Sequence, residues 1–169
     1  MARVNKGRWS ADAGADGKVL FLIGMRINRP WRVWAWVPVF AAMPRMIAEL
    51  MKDRSLGLIG RPRTFLSGRT ILVWQYWESF EKLGAYARAT DSAHLPAWRS
   101  FNRRIRDNGT VGIFHETVVL SDSTVETVYG NMPTIGLADA IGSVPAGKRG
   151  QTAAARMKGV QDTPPVEPY

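Results

Sequence analysis

Four stretches patterned like strands and two with helical spacing follow one another in the order β-α-β-β-α-β across residues 18–120. That order predicts an α+β fold of the ferredoxin-like kind, an antiparallel sheet with two helices on one face. The chain has 169 residues, 46% of them hydrophobic, enough for one packed core with flanking segments. Residues 18–134 form the expected domain. Residues 1–17, polar and rich in Gly, Ala and Asp, read as a flexible lead-in. Residues 135–169, rich in Ala, Gly and Pro, read as a mobile tail that buries too little apolar surface to offset its ordering entropy.

The first strand, 18–27, places Val19, Phe21, Ile23, Met25 and Ile27 on one face and Leu20, Leu22, Gly24 and Arg26 on the other. With both faces apolar over its first half, it belongs at the centre of the sheet. Residues 31–52 carry helical spacing, but Pro38 and Pro44 predict two short helices meeting near 42–44 rather than one. Residues 56–66 read as a strand bent by Gly60 and Pro62, hence an edge strand. A tight turn at 67–69 returns the chain into 70–77, completing a hairpin. Ser79 caps a helix to about Arg88, Thr90–Ser92 restart it, and Asn108–Gly109 end it before the fourth strand, 110–120. Residues 125–132 supply a further strand or an arm across a subunit interface. The open face of the sheet needs a cover, and a second copy of the sheet is one solution.

With no cysteine, disulfides, thiolate metal sites and cysteine nucleophiles are excluded. The N-terminus lacks the apolar core of a signal peptide. No run of about 18 uncharged apolar residues occurs, so no transmembrane helix is expected and the cytoplasm is the default compartment. A net charge of +9 raises nucleic acid or an anionic membrane as partners. The charge is dispersed, densest at Arg99, Arg103, Arg104 and Arg106, and no nucleic-acid motif accompanies it, so nucleic acid is not expected. Arg103 and Arg104 read as a solvated face, a pair for Asp107, or an anion contact.

Both histidines fall within 94–117: His94 opens the second helical stretch and His115 lies in an apolar strand. A desolvated imidazole is governed by the groups its nitrogens meet. An inert, hydrogen-bonded core histidine is the competing reading of His115, and capping or surface packing that of His94. Six blocks carry a family signature in one order: FLIGMRINRPW (21–31), VFAAMPRMIAEL (39–50), VWQYW (73–77), HLPAWRSFNRR (94–104), GIFHET (112–117) and VYGNMP (128–133). The chain resembles the monooxygenase-like dimeric α/β-barrel family that includes the antibiotic-biosynthesis-type monooxygenase of the fungal fumagillin pathway.

The resemblance implies a homodimeric α/β barrel of secondary metabolism that acts on a small hydrophobic substrate, a terpenoid or polyketide-like metabolite. It implies either no cofactor or, in an aldoxime-dehydratase-like alternative, a haem hung from a histidine. A non-catalytic small-molecule-binding protein is the remaining alternative. Cofactor-free oxygenation needs a base, donors for an oxyanion and exclusion of water. His115 and His94 are the candidate catalytic bases. Trp74, Gln75, Tyr76 and Asn102 are candidate donors, Arg26 a holder of an enolate or carboxylate, and Trp98 a substrate contact. On the third strand, either Gln75 or the pair Trp74 and Tyr76 faces the pocket. The two histidines and scattered carboxylates make no metal cluster, so no metal is expected.

Overall fold

The computed structural model describes residues 3–90, 93–105 and 108–163, and leaves the side chains of Arg104 and Ile105 outside that description. In chain order the main elements are β1 (Asn5–Ala11), β2 (Val19–Ile27), α1 (Val33–Lys52), β3 (Leu58–Ser67), β4 (Thr70–Trp77), α2 (Phe80–Arg88), α3 (His94–Ile105) and β5 (Val111–Val119). They are followed by β6 (Tyr129–Met132), α4 (Leu137–Ile141), β7 (Ser143–Pro145) and α5 (Ala153–Lys158). Residues 91–92 and 106–107 lie outside the described residues, so Arg106, Asp107 and part of the expected restart at Thr90–Ser92 have no structural account.

The main sheet is antiparallel with order β3-β4-β2-β5, which is the ferredoxin-like arrangement read from the pattern. β2 is central, as its two apolar faces require. β3 is an edge strand, and its register shifts between Ile59 and Arg63, where Gly60 adopts φ +62° ahead of Pro62. Both residues fit a bulge, where a missing N–H and a left-handed φ do the least harm to the ladder. Ser79 caps α2 by accepting the Lys82 amide.

One face of this sheet carries the helices. Val19, Leu58 and Trp77 meet Leu50, Leu83 and Tyr86 there, and Met25 and Val111 meet Trp36, Val39 and Phe101. α1 is a single helix rather than the expected two, with Pro38 and Pro44 inside it. The carbonyls these prolines leave unbonded belong to Trp34 and Phe40, both exposed, so water can satisfy them. By length and mean hydropathy (1.2) alone α1 is apolar enough to cross a membrane, although Arg45 and Glu49 interrupt the run, as the sequence shows.

The opposite face holds the larger departure. The segments expected to be a flexible lead-in (1–17) and a mobile tail (135–169) instead supply β1 and β7. These join β6, from the stretch 125–132 expected as a further strand or arm, in a second antiparallel sheet β6-β1-β7 with α4 and α5 beside it. Leu20 and Tyr76 of the main sheet pack there against Ala11, Ala15, Leu120, Leu137 and Ala138. Polar clasps fix the layer. Asp122 accepts the amides of Gly14 and Ala15 at 2.9 and 3.0 Å. Arg156 is buried, pairs with Glu126 and donates to the Gly150 and Gln151 carbonyls. Arg61 of β3 holds Asp139 of α4 through its backbone amide and its guanidinium. Part of the open face therefore finds its cover within the chain. The remainder exposes Phe65, Phe114 and Val118. Phe114 lies across Gly24, where a Cβ would come within 2.5 Å of the ring.

A candidate active site between helices and sheet

Between the helices and the main sheet lies a cavity of about 50 Å³, or about 380 Å³ of unfilled space with its open mouth included. Its floor is Phe21 and Ile23 of β2 with Gln75 and Trp77 of β4. Its roof is Met43, Met46 and Leu50 of α1, Leu83, Tyr86 and Ala87 of α2, and His94 at the start of α3. The lining is apolar except for three side chains, each fixed by a specific partner.

Gln75 is 4% exposed, and its Oε1 accepts the Trp77 indole N–H at 2.9 Å. An indole nitrogen can only donate, so this contact fixes the amide's orientation and leaves its NH₂ as a donor. Tyr86 donates to Glu49 Oε2 at 2.7 Å. Burial, together with the Glu49 carboxylate, pushes the phenol well above its ordinary range, so Tyr86 stays a neutral donor. Glu49 also accepts the Ala93 amide at 3.1 Å, so one carboxylate from α1 ties Tyr86 of α2 to the first turn of α3. His94 Nδ1 lies 3.0 Å from the Ala87 carbonyl. A carbonyl only accepts, so Nδ1 carries the proton and Nε2 is left with its lone pair. The ring also packs against Tyr86, with centroids 6.0 Å apart.

Of the candidate residues, the structure brings His94 and Gln75 together in this cavity. His115 shares their face of the sheet and lies 5.7 Å from the Phe21 ring, but it does not line the cavity and is exposed. The expectation that it would be desolvated is corrected: β5 is an edge strand, and the helix-side core reaches only its first residues, Val111 and Ile113. Arg26, Trp74 and Tyr76 have the other parity and point away from the cavity. Arg26 is exposed and donates to Thr70 at 3.2 Å. Trp74 packs between Phe65 and Tyr76, and burial pushes the Tyr76 phenol up to about 12. Trp98 and Asn102 are exposed on α3, where Trp98 stacks on Phe101. The sequence reading passed over Tyr86 and Glu49, yet Glu49 left a signal as the single acid in the apolar stretch 33–52.

Among the described residues no group of three or more His, Asp or Glu could hold a metal ion. As it stands, the enclosed space is far below the roughly 300–1,000 Å³ of ordinary ligand pockets, so a haem and a substrate of terpenoid size alike require the roof to move, and His115 stands outside the cavity. A second crevice, beside Glu126 and Arg156, measures about 10 Å³ and has room for a water at most.

A family model described as monooxygenase af470-like matches residues 18–137. Monooxygenase af470 of Aspergillus fumigatus is 29% identical over 151 residues, 78% of this chain and 53% of that protein, so the chain spans about half the length of this curated relative. Among solved structures, an aldoxime dehydratase in complex with butyraldoxime superposes with a TM-score of 0.62 at 18% identity, over 83% of this chain and 44% of that one. SnoaB, a cofactor-independent oxygenase from Streptomyces nogalater, gives a TM-score of 0.44 at 10% identity, over 62% of this chain and 94% of that one. At these identities the structural likeness concerns the fold alone.

Proposed function

The chain belongs to the monooxygenase af470-like family, and from that premise we propose that it is a cofactor-free monooxygenase acting on a small hydrophobic metabolite of terpenoid or polyketide type. The observation that carries this reading is His94, whose Nδ1 is held by the Ala87 carbonyl and whose Nε2 is a ready base in an apolar cavity. His94 Nε2 removes a proton from a carbon made acidic by a neighbouring carbonyl or phenol. The Gln75 NH₂ hydrogen-bonds the resulting enolate oxygen, and the apolar lining excludes water. The carbanion supplies electrons to O₂. A C–O bond forms, the peroxide takes the proton back from His94, and loss of water leaves a ketone, so R₂CH₂ and O₂ become R₂C=O and H₂O. Met43 and Met46, flexible side chains in the roof, are suited to widening the cavity around a substrate.

In this reading the enzyme is a cytoplasmic homodimer, with a second copy covering Phe65, Phe114 and Val118 on the open face. Sedimentation at micromolar concentration tests that part, and a monomer there removes it. Chemistry is tested by oxygen uptake with anthrone, with no metal, flavin or haem added. The expected result is uptake stoichiometric with the ketone formed, falling about 100-fold or more in His94→Gln, the usual scale of general acid–base catalysis. Uptake unchanged in that variant overturns the role of His94. Binding of anthrone without uptake favours the non-catalytic alternative.

A further inference from the structure

We propose that the outer face of α1, with the adjoining face of α3, docks on an anionic bilayer surface. A surface helix of a water-soluble protein turns its apolar stripe inward, and α1 has one outward as well. Val33, Trp34, Val37, Phe40, Pro44, Ala48 and Met51 recur at helical spacing along its solvent side. Trp34 is 73% exposed, Phe40 45%, and Trp31, just before the helix, 67%. Only 6% of the residues in its apolar window are fully buried, and although Trp36, Val39 and Leu50 pack inward, the outward stripe is apolar as well. The helix is about 30 Å long at the standard rise per residue.

Its inner side argues against crossing a membrane and for lying on one. Leu50 packs into the sheet-side core, and Glu49 is bonded to Tyr86 and Ala93. A helix held along its length by the sheet offers only its outer half, the geometry of an interfacial helix. Exposed Trp suits this position, since an indole has an apolar body and a polar edge.

Charge selects the partner. Glu49 is the single acid in α1, it is turned inward, and α3 contains none. Arg32, Arg45 and Lys52 are exposed along α1, and α3, which packs against α1, adds exposed Arg99 and Arg103 beside Trp98. The whole chain carries +9. A second copy of the same face would set these cations against one another with no acid on the exposed side of either helix, among the described residues, to pair them. A surface of acidic headgroups over acyl chains satisfies both the cations and the apolar stripe.

The test is flotation of the full chain with vesicles of phosphatidylcholine plus phosphatidylserine, beside vesicles of phosphatidylcholine alone. The expected result is flotation with the anionic vesicles, a blue shift of tryptophan emission, and weakening as salt rises. Trp34→Glu combined with Phe40→Glu, both at exposed positions, should keep the melting temperature and weaken binding about tenfold or more. The proposal is overturned if the unaltered chain stays with the unbound fraction, or if the double variant floats equally well. It is also overturned if the unaltered chain does not float while the double variant changes its sedimentation from dimer to monomer, which would make the stripe an interface between copies.

Discussion

The two faces of the main sheet are built from the same strands and differ in one residue of phase. Gln75 and Trp77 on one side and Trp74 and Tyr76 on the other alternate along β4. On the helix side, polar groups are fixed by partners yet keep unused capacity: the Gln75 NH₂ and His94 Nε2. On the far side, charged groups are spent on cohesion where Arg61 holds Asp139 or Arg156 holds Glu126 and two carbonyls, while the buried Trp74 Nε1 and Arg63 Nε have no hydrogen-bond partner among the described residues. A polar residue that still has a bond to offer differs from one whose bonds are complete, and burial alone does not distinguish them. Gln75 and Arg156 are both buried.

Perturbing each face in turn breaks or sharpens this contrast. The largest effect is expected on the far face. Leu137, 1% exposed, anchors the layer over Leu20 and Tyr76, so Leu137→Ala should cost about 2–5 kcal/mol in denaturant unfolding. Turnover per folded molecule should be kept. Equal losses in both would mean the two faces are not separable.

Next comes His94→Gln on the near face, where about 100-fold of turnover, roughly 2.7 kcal/mol of transition-state stabilisation, should go with little change in melting. His115→Gln, on the same face but outside the cavity, should stay within a few-fold of the native rate. A larger loss there would return the catalytic role to His115.

A smaller effect concerns alkaline pH. Tyr76 on the far face and Tyr86 on the near face are both raised by burial, Tyr76 to about 12. A folded pKa above the unfolded one favours the neutral form, so this stability is complete below about pH 10 and drains as pH rises toward 12. Phenolate absorbance should lag behind that of free tyrosine until the fold is lost. Titration in step with free tyrosine would show that the rings are open to solvent.

The smallest effect is at Arg61. Burial pushes the Asp139 carboxyl up, but the hydrogen bonds and charge of Arg61 outweigh it and hold the carboxyl below its usual value. Arg61 is exposed, so solvent screens the pair and Arg61→Ala should lower stability less than either stability loss above. That cost should be present above the ordinary aspartate range and vanish as pH falls through the depressed value.

Residues 18–120 were legible because each element has a local cause. The alternation in β2, the Ser79 cap and the Gly60 and Pro62 bulge all act within a few residues. Of the second sheet, only β6, within the stretch 125–132, left such a trace. β1, NKGRWSA, has no apolar alternation, and its partners include the Thr127 hydroxyl, bonded to the Ala11 amide. The C-terminal segment packs through Ala138, Ala146 and Ala155, small residues whose composition resembles that of an unfolded tail. α1 misled in the other direction, because its prolines fall where water replaces the lost bonds. In the candidate site, the residue types were legible. Which parity faced the helices was not, since both sides of the sheet are apolar and only tertiary packing distinguishes them.

The position of β1 also sets a clock. The Gly7 amide bonds to Asn131, 124 residues further along the chain. At about 5–20 residues per second of synthesis, β1 waits roughly 6–25 s for that partner. Until then Leu20 and Tyr76 stand uncovered on a sheet that can already have formed. The chain is therefore most vulnerable to sticking to other molecules between the emergence of β5 and that of β6 and β7, with the helix side complete and the far side still bare. A chaperone that holds the far face only until β6 and β7 emerge would raise the yield without touching the final stability.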